Sequence, residues 1–194
     1  MKLNIPNQLT ILRVLLVPVF MVCMLCIKDA VICGFVSAGV FALTAFTDML
    51  DGKIARKYNL VTNFGKFMDP LADKFMVFAA LLVITVKTGG VLQQVMIWAS
   101  AIVFLRELAV TSIRLVCANT EAGVIAASWF GKCKTVTQIA AIIVLLLEPA
   151  FCILTGINTM SIASYVLVGA MVVMTVGSGI DYLRGYWKYL NPNV

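Results

Sequence analysis

The sequence predicts an all-α integral membrane protein with six transmembrane helices and both termini in the cytoplasm. Three observations predict it. Of the 194 residues, 62% are hydrophobic and only 12% are charged, about half the roughly 25% of a soluble domain. Apolar runs close to the ~17–25 residues that cross a bilayer recur along the whole chain. With the N-terminus inside, thirteen Lys and Arg fall on the cytoplasmic side and only Lys28 and Lys87 outside, the bias that sets orientation.

The elements follow in order. Residues 2–9 are polar and are expected to lie along the interface. The first span, 11–27, follows a basic end as in a signal peptide, but no small-x-small cleavage site comes after it, so it reads as a retained helix. The further spans are 30–50, 67–86, 91–113, 131–148 and 159–182, the fifth being short or tilted. Short connections are expected at Lys28-Asp29, at 87–90 and from Glu148-Pro149, and longer polar ones at 51–66 and 114–130. Residues 1–194 read as one domain without repeats. Trp129 and Trp187 suit the interface, and Gly177 and Gly179 suit close packing in the last span.

Composition also narrows the chemistry. The chain has no histidine, the usual base near neutral pH and the commonest metal ligand. Its six cysteines are scattered; Cys23 and Cys26 form a C-x-x-C inside an apolar run, where thiols behave as small hydrophobes. A net charge of +6 suits a nucleic-acid binder too, but these bases gather at one membrane face. Anionic lipid heads or phosphorylated substrates are the better partners.

Four of the nine acids crowd into DMLDGKIARKYNLVTNFGKFMDPLADK, residues 48–74. Asp48 and Asp51 are three apart at the end of the second span; Asp69 and Asp73 are four apart at the start of the third. Such spacings share a helix face, so two antiparallel helices would bring four carboxylates together. They would repel unless some are protonated or cations sit between them. All-oxygen ligands favour Mg²⁺ or Mn²⁺, or Ca²⁺, over Zn²⁺. Four carboxylates balance two divalent ions, a pair that clamps a phosphate during in-line displacement. The bland alternative is a solvated acidic rim.

The neighbours carry the same chemistry. Gly52 lets a ligand approach the backbone, Ala55 keeps that face open, and Arg56 suits a phosphate. Gly65, Asp69 and Asp73 fall in one stripe at spacings of four, and Pro70 fits a first helical turn. For Gly52 and Gly65 the alternative is a turn or close helix packing.

The string Asp48-x-x-Asp51-Gly52-x-x-Ala55-Arg56, then eight residues, then Gly65-x-x-x-Asp69-x-x-x-Asp73 fills every fixed position of a known signature. On it the chain resembles the CDP-alcohol phosphotransferase family, in which six spans are usual. IPNQLTILR, LVTNFGKFMDPLADK, RELAVTSIR and GKCKT are similar to the bacterial members that use glycerol 3-phosphate. The resemblance implies transfer of the phosphatidyl group of CDP-diacylglycerol to sn-glycerol 3-phosphate, with release of CMP, at the cytoplasmic face of a bacterial plasma membrane. It implies that Asp48, Asp51, Asp69 and Asp73 hold the metals, that Asp73 is the base, and that Asp51, Gly52, Ala55, Arg56 and Gly65 form the nucleotide and diphosphate region. A homodimer is likewise only implied.

An acceptor with its own phosphate needs a second basic cluster. Arg106 and Arg114 are eight apart, about 80° around a helix, and share a side if the helix runs that far. Lys132 and Lys134 are about 200° apart, so only one points inward if both are helical. The alternative for all four is anchoring at the positive-inside face, with Arg106 pairing locally to Glu107. Arg184 and Lys188 read as anchors. Asn7, Thr10 and Arg13, spaced by three, either touch the nucleotide or cap and anchor the first helix. Serine, inositol phosphate or phosphatidylglycerol remain alternative acceptors. A cation transporter and a non-catalytic scaffold remain alternative classes.

Overall fold

The computed structural model describes the backbone of residues 5–57, 63–117, 129–157, 159 and 161–190. Within these it describes all side chains except those of 5, 6, 49–57, 63, 64, 66, 67, 116 and 188–190. The described residues form six helices: α1 (Ile5–Cys26), α2 (Ala30–Lys57), α3 (Asn63–Lys87), α4 (Gly90–Cys117), α5 (Trp129–Thr155) and α6 (Ile162–Leu190). Five of them, all but α3, are long and apolar enough to cross a membrane, which makes this an integral membrane protein. Charge sets α3 apart. Asp69, Asp73 and Lys74 occupy its first half, and the uncharged stretch before Lys87 spans 75–86, about 18 Å of helix.

Several boundaries differ from the sequence expectation. Helices run on into the segments expected to be long connections: α2 reaches Lys57, α3 starts at Asn63 and α4 continues to Cys117. With 28 residues, α2 is about 42 Å long, more than the ~30 Å hydrocarbon layer. Its polar end projects as helix. Because α3 begins seven residues before Pro70, that proline lies in the helix interior and not in the first turn. The fifth helix is neither short nor ended by Glu148-Pro149; it runs through Pro149 to Thr155. The apolar run AFCIL after Pro149 suits a helix that continues in the hydrocarbon layer. A membrane helix tolerates one missing N–H when neighbours compensate. Gly156, at φ 70°, then ends the helix, its N–H bonded to the Cys152 carbonyl at 3.0 Å. α1 already includes residues 5–9.

The chain divides into two compact units, Met1–Gly89 with Leu145–Ser161, and Gly90–Val144 with Ile162–Val194. In the first, α1 packs on both α2 and α3. Its buried face is Asn7, Thr10, Arg13, Phe20 and Met24, spaced by three, four and seven as one helix side requires. Phe20 meets Phe41 of α2 with ring centroids 6.2 Å apart. Asp29 accepts the Ile32 N–H at 2.8 Å and so caps α2. The buried Thr44 and Thr47 hydroxyls donate back to the Phe41 and Thr44 carbonyls, which satisfies them inside an apolar helix. Glu148 is buried and accepts from Thr159 Oγ1 at 2.6 Å.

Gly34 marks the closest approach in this unit. A Cβ there would lie 2.7 Å from the Leu146 carbonyl oxygen and 3.1 Å from Ala150 Cβ. Backbone cannot yield as a side-chain tip can. Gly34→Val is expected to destabilise the protein by about 1–3 kcal/mol, read as a lower thermal midpoint in lipid. Gly39→Ala, where nothing lies within 4 Å, is expected to leave the midpoint unchanged.

In the second unit α4 packs on α6. The buried side of α4 carries Met96, Val103, Glu107, Val110 and Cys117; that of α6 carries Val168, Met171, Thr175, Ser178, Tyr182 and Tyr186. Gly179 is a true close approach, 3.3 Å from Arg106 Cγ to a Cβ placed there, whereas a Cβ on Gly177 would meet nothing within 4 Å. The packing role expected of Gly177 is therefore not met among the described residues. Trp129 and Trp187 are exposed at helix ends.

Candidate active site

The acidic signature is built on two helix ends and steadied by a third helix. Arg13, its side chain 2% exposed, pairs through Nη1 with Asp48 Oδ1 at 2.6 Å, and Asp48 is 47% exposed. One turn earlier, Thr10 Oγ1 donates to Asp69 Oδ1 at 2.6 Å. Two residues three apart on α1 thus reach one aspartate on α2 and one on α3. Asn7 is buried on the same side. Thr10 and Arg13 lie in the second and third turns of α1, too deep to cap its start.

On α3 the expected stripe turns as helix geometry requires. Gly65 is buried, Asp69 half-buried and Asp73 exposed. Each step of four residues adds about 40° of rotation, so Asp73 stands about 80° around from Gly65. The side chains of Asp51, Ala55 and Arg56, and the surroundings of Gly52, lie outside the described residues. Their backbone continues α2 to Lys57. Among the described residues, no three acidic or cysteine side chains gather as a metal-binding group. The donors at hand are carboxylate oxygens, a set that fits a hard divalent cation.

Within the second unit, basic residues gather around Glu107 and Tyr182. Glu107 Oε1 accepts from Arg106 Nη1 at 3.0 Å and also from Lys134 Nζ. Arg114 Nη2 donates to the Tyr182 hydroxyl. Both guanidinium carbons lie over the Tyr182 ring, Arg114 at 4.8 Å and Arg106 at 5.7 Å from its centroid, within cation–π range. Because α4 continues to Cys117, the two arginines meet one aromatic ring. Lys134 is buried and Lys132 exposed, as a 200° separation on one helix dictates. Arg184 is exposed, and the side chain of Lys188 lies outside the described residues.

Sequence reasoning missed Tyr182 as a partner of these bases and gave Glu107 only a local role. Both signals were present. Glu107 interrupts an apolar helix at the spacing of Val103 and Val110, and Tyr182 belongs to a run of buried positions four or three apart.

A family profile described as CDP-alcohol phosphatidyltransferase matches residues 3–177. The chain belongs to that family. Among its relatives in the CDP-alcohol phosphatidyltransferase family, the CDP-diacylglycerol–glycerol-3-phosphate 3-phosphatidyltransferase of Bacillus subtilis (strain 168) is 38% identical, with 98% of each chain covered. The enzyme of the same name from Haemophilus influenzae (strain Rd) is 38% identical over 95% of this chain and 94% of its own. A probable phosphatidylglycerophosphate synthase of Mycobacterium tuberculosis (strain H37Rv) is 36% identical over 93% of this chain and 80% of its own.

Proposed function

We propose that this chain transfers the phosphatidyl group of CDP-diacylglycerol to sn-glycerol 3-phosphate, releasing CMP and forming phosphatidylglycerophosphate for phospholipid synthesis. The observation that carries the reading is the near full-length likeness to the Bacillus subtilis enzyme, whose name states this reaction. The complete acidic signature supports it. So does the profile match, which runs through residues of both units and favours one catalytic domain.

In this reading all six helices span a bacterial plasma membrane, α3 crossing beside its more apolar neighbours. Both termini and the active site face the cytoplasm, as the basic-residue bias supports, and two copies pair as a homodimer. Asp48, Asp51, Asp69 and Asp73 hold two divalent ions, Mg²⁺ or Mn²⁺. Bound there, such ions supply neutralisation of the diphosphate charge and its alignment for displacement.

The chain's own groups do the rest. Arg13 and Thr10 fix the carboxylates of Asp48 and Asp69 before substrate arrives. Asn7 continues that stripe toward the nucleotide. Gly52, Ala55 and Gly65 leave room for the nucleotide and diphosphate, and Arg56 binds a phosphate oxygen. Asp73 takes the proton from the free primary hydroxyl of glycerol 3-phosphate. That oxygen bonds to the phosphorus bearing the diacylglycerol, the bond from this phosphorus to the CMP oxygen breaks, and CMP leaves with the electron pair. Arg106, Arg114 and Lys134 hold the acceptor's phosphate, with Lys132 at the exposed rim.

The test uses purified protein in lipid with CDP-diacylglycerol and Mg²⁺. Glycerol 3-phosphate, serine, inositol phosphate and phosphatidylglycerol are offered separately. Lipid product and CMP are expected only with glycerol 3-phosphate, lost with EDTA and restored by excess Mg²⁺. Product with another alcohol would overturn the acceptor. Metal-dependent ion flux without CMP release would put a transporter in its place.

A further inference from the structure

We propose that Glu107 and Tyr182 are positioning residues of a phosphate-monoester site, and that the net charge they leave selects a dianionic acceptor. The inference rests on the reading above and names two residues that it does not include.

Glu107 is one of few buried charges in the second unit. Burying a carboxylate with an ammonium group is no cheap route to stability; an apolar core of similar volume is often at least as stable. What the arrangement achieves is placement. One oxygen, Oε1, holds Arg106 and Lys134 side by side, although they come from α4 and α5. Tyr182 does the same for the two arginines. Its ring lies beneath both guanidinium groups, and its hydroxyl accepts from Arg114 while keeping its own O–H to donate. Tyr186 stacks on Tyr182 with centroids 6.4 Å apart and planes at 10°. Gly179 lets the Arg106 stem lie against the α6 backbone. Each cation is therefore held by a partner that can give way only at a cost.

The charge count points to the ligand. Arg106, Arg114 and Lys134 against Glu107 leave a formal +2. A phosphate monoester carries about −1.5 to −2 near pH 7. Zwitterionic serine has no net charge, and a phosphodiester such as phosphatidylglycerol carries −1, so neither balances the cluster. The selection is for a terminal phosphate and not for the carbon skeleton beyond it. Without Glu107, Lys134 and Arg106 would lose the shared carboxylate oxygen that sets their spacing.

The experiment compares full-length wild-type protein, Glu107→Gln and Tyr182→Phe in lipid. It measures KM for glycerol 3-phosphate and for CDP-diacylglycerol, and inhibition by inorganic phosphate against the acceptor. Thermal midpoints verify folding. In Glu107→Gln the acceptor KM and the phosphate inhibition constant are expected to rise together by about tenfold or more, as loss of charged hydrogen bonds implies. In Tyr182→Phe they rise by about threefold. KM for CDP-diacylglycerol stays within about twofold of wild type in both. Unchanged acceptor KM and phosphate inhibition, or equal weakening of both substrates, would overturn the proposal. If Glu107→Gln does not fold, Tyr182→Phe decides. Should wild type use an unphosphorylated alcohol, the proposed reaction fails, and direct titration with inorganic phosphate decides the site. Binding lost in the variants keeps it, and binding unaltered in them, or absent from wild type, overturns it.

Discussion

Asp73→Asn is expected to lower turnover by about 10²- to 10⁴-fold, the range for loss of a general base, with little change in thermal midpoint. Asp73 is exposed, and substitutions at exposed positions usually shift stability by no more than about 0.5 kcal/mol. CDP-diacylglycerol binding should weaken much less than turnover, because three other acids of the signature remain. Rates in single-turnover mixing and equilibrium binding of CDP-diacylglycerol separate the two effects. Equal activity in the variant would remove Asp73 as the base.

Asp48→Asn is expected to cost both activity and stability. Arg13 is almost fully buried and pairs with Asp48 at 2.6 Å. Removing the carboxylate charge leaves a buried guanidinium short of its counter-charge, which costs about 3–5 kcal/mol when both groups are buried. Asp48 is half exposed, so about 2 kcal/mol is expected here. The companion variant Arg13→Met with Asp48→Asn should recover much of the thermal midpoint and none of the turnover. A midpoint unchanged by Asp48→Asn would show that Arg13 does not depend on this pair.

The contrast between the two aspartates shows what a sequence conveys. Spacing alone put Asp69 and Asp73 on one helix side. The 40° drift per step that buries Gly65 and exposes Asp73 needs the position of α1 before it has meaning. The stripe of Asn7, Thr10 and Arg13 was legible as three polar residues on one helix side. That Thr10 and Arg13 reach carboxylates on two other helices was not, because a one-dimensional pattern does not say which helices become neighbours.

Pro70 and Pro149 misled for a different reason. Proline reads as a helix boundary because a soluble helix interior rarely tolerates it. Both helices run through; at Pro149, inside an apolar run, the gain from keeping the backbone helical outweighs one lost hydrogen bond. The partnership of Lys134, Glu107, Arg106 and Tyr182 was half visible. Each residue lay at a buried spacing, but its partners come from three helices far apart in sequence.

The most direct test of the displacement follows one oxygen atom. Glycerol 3-phosphate labelled with ¹⁸O in its free primary hydroxyl is incubated with the purified protein, CDP-diacylglycerol and Mg²⁺, and both products are analysed by mass spectrometry. The label is expected in the bridging oxygen of phosphatidylglycerophosphate, with CMP unlabelled and formed in equal amount. Label in CMP, or a lipid product that lacks it, would contradict attack by the acceptor hydroxyl on the phosphorus bearing the diacylglycerol.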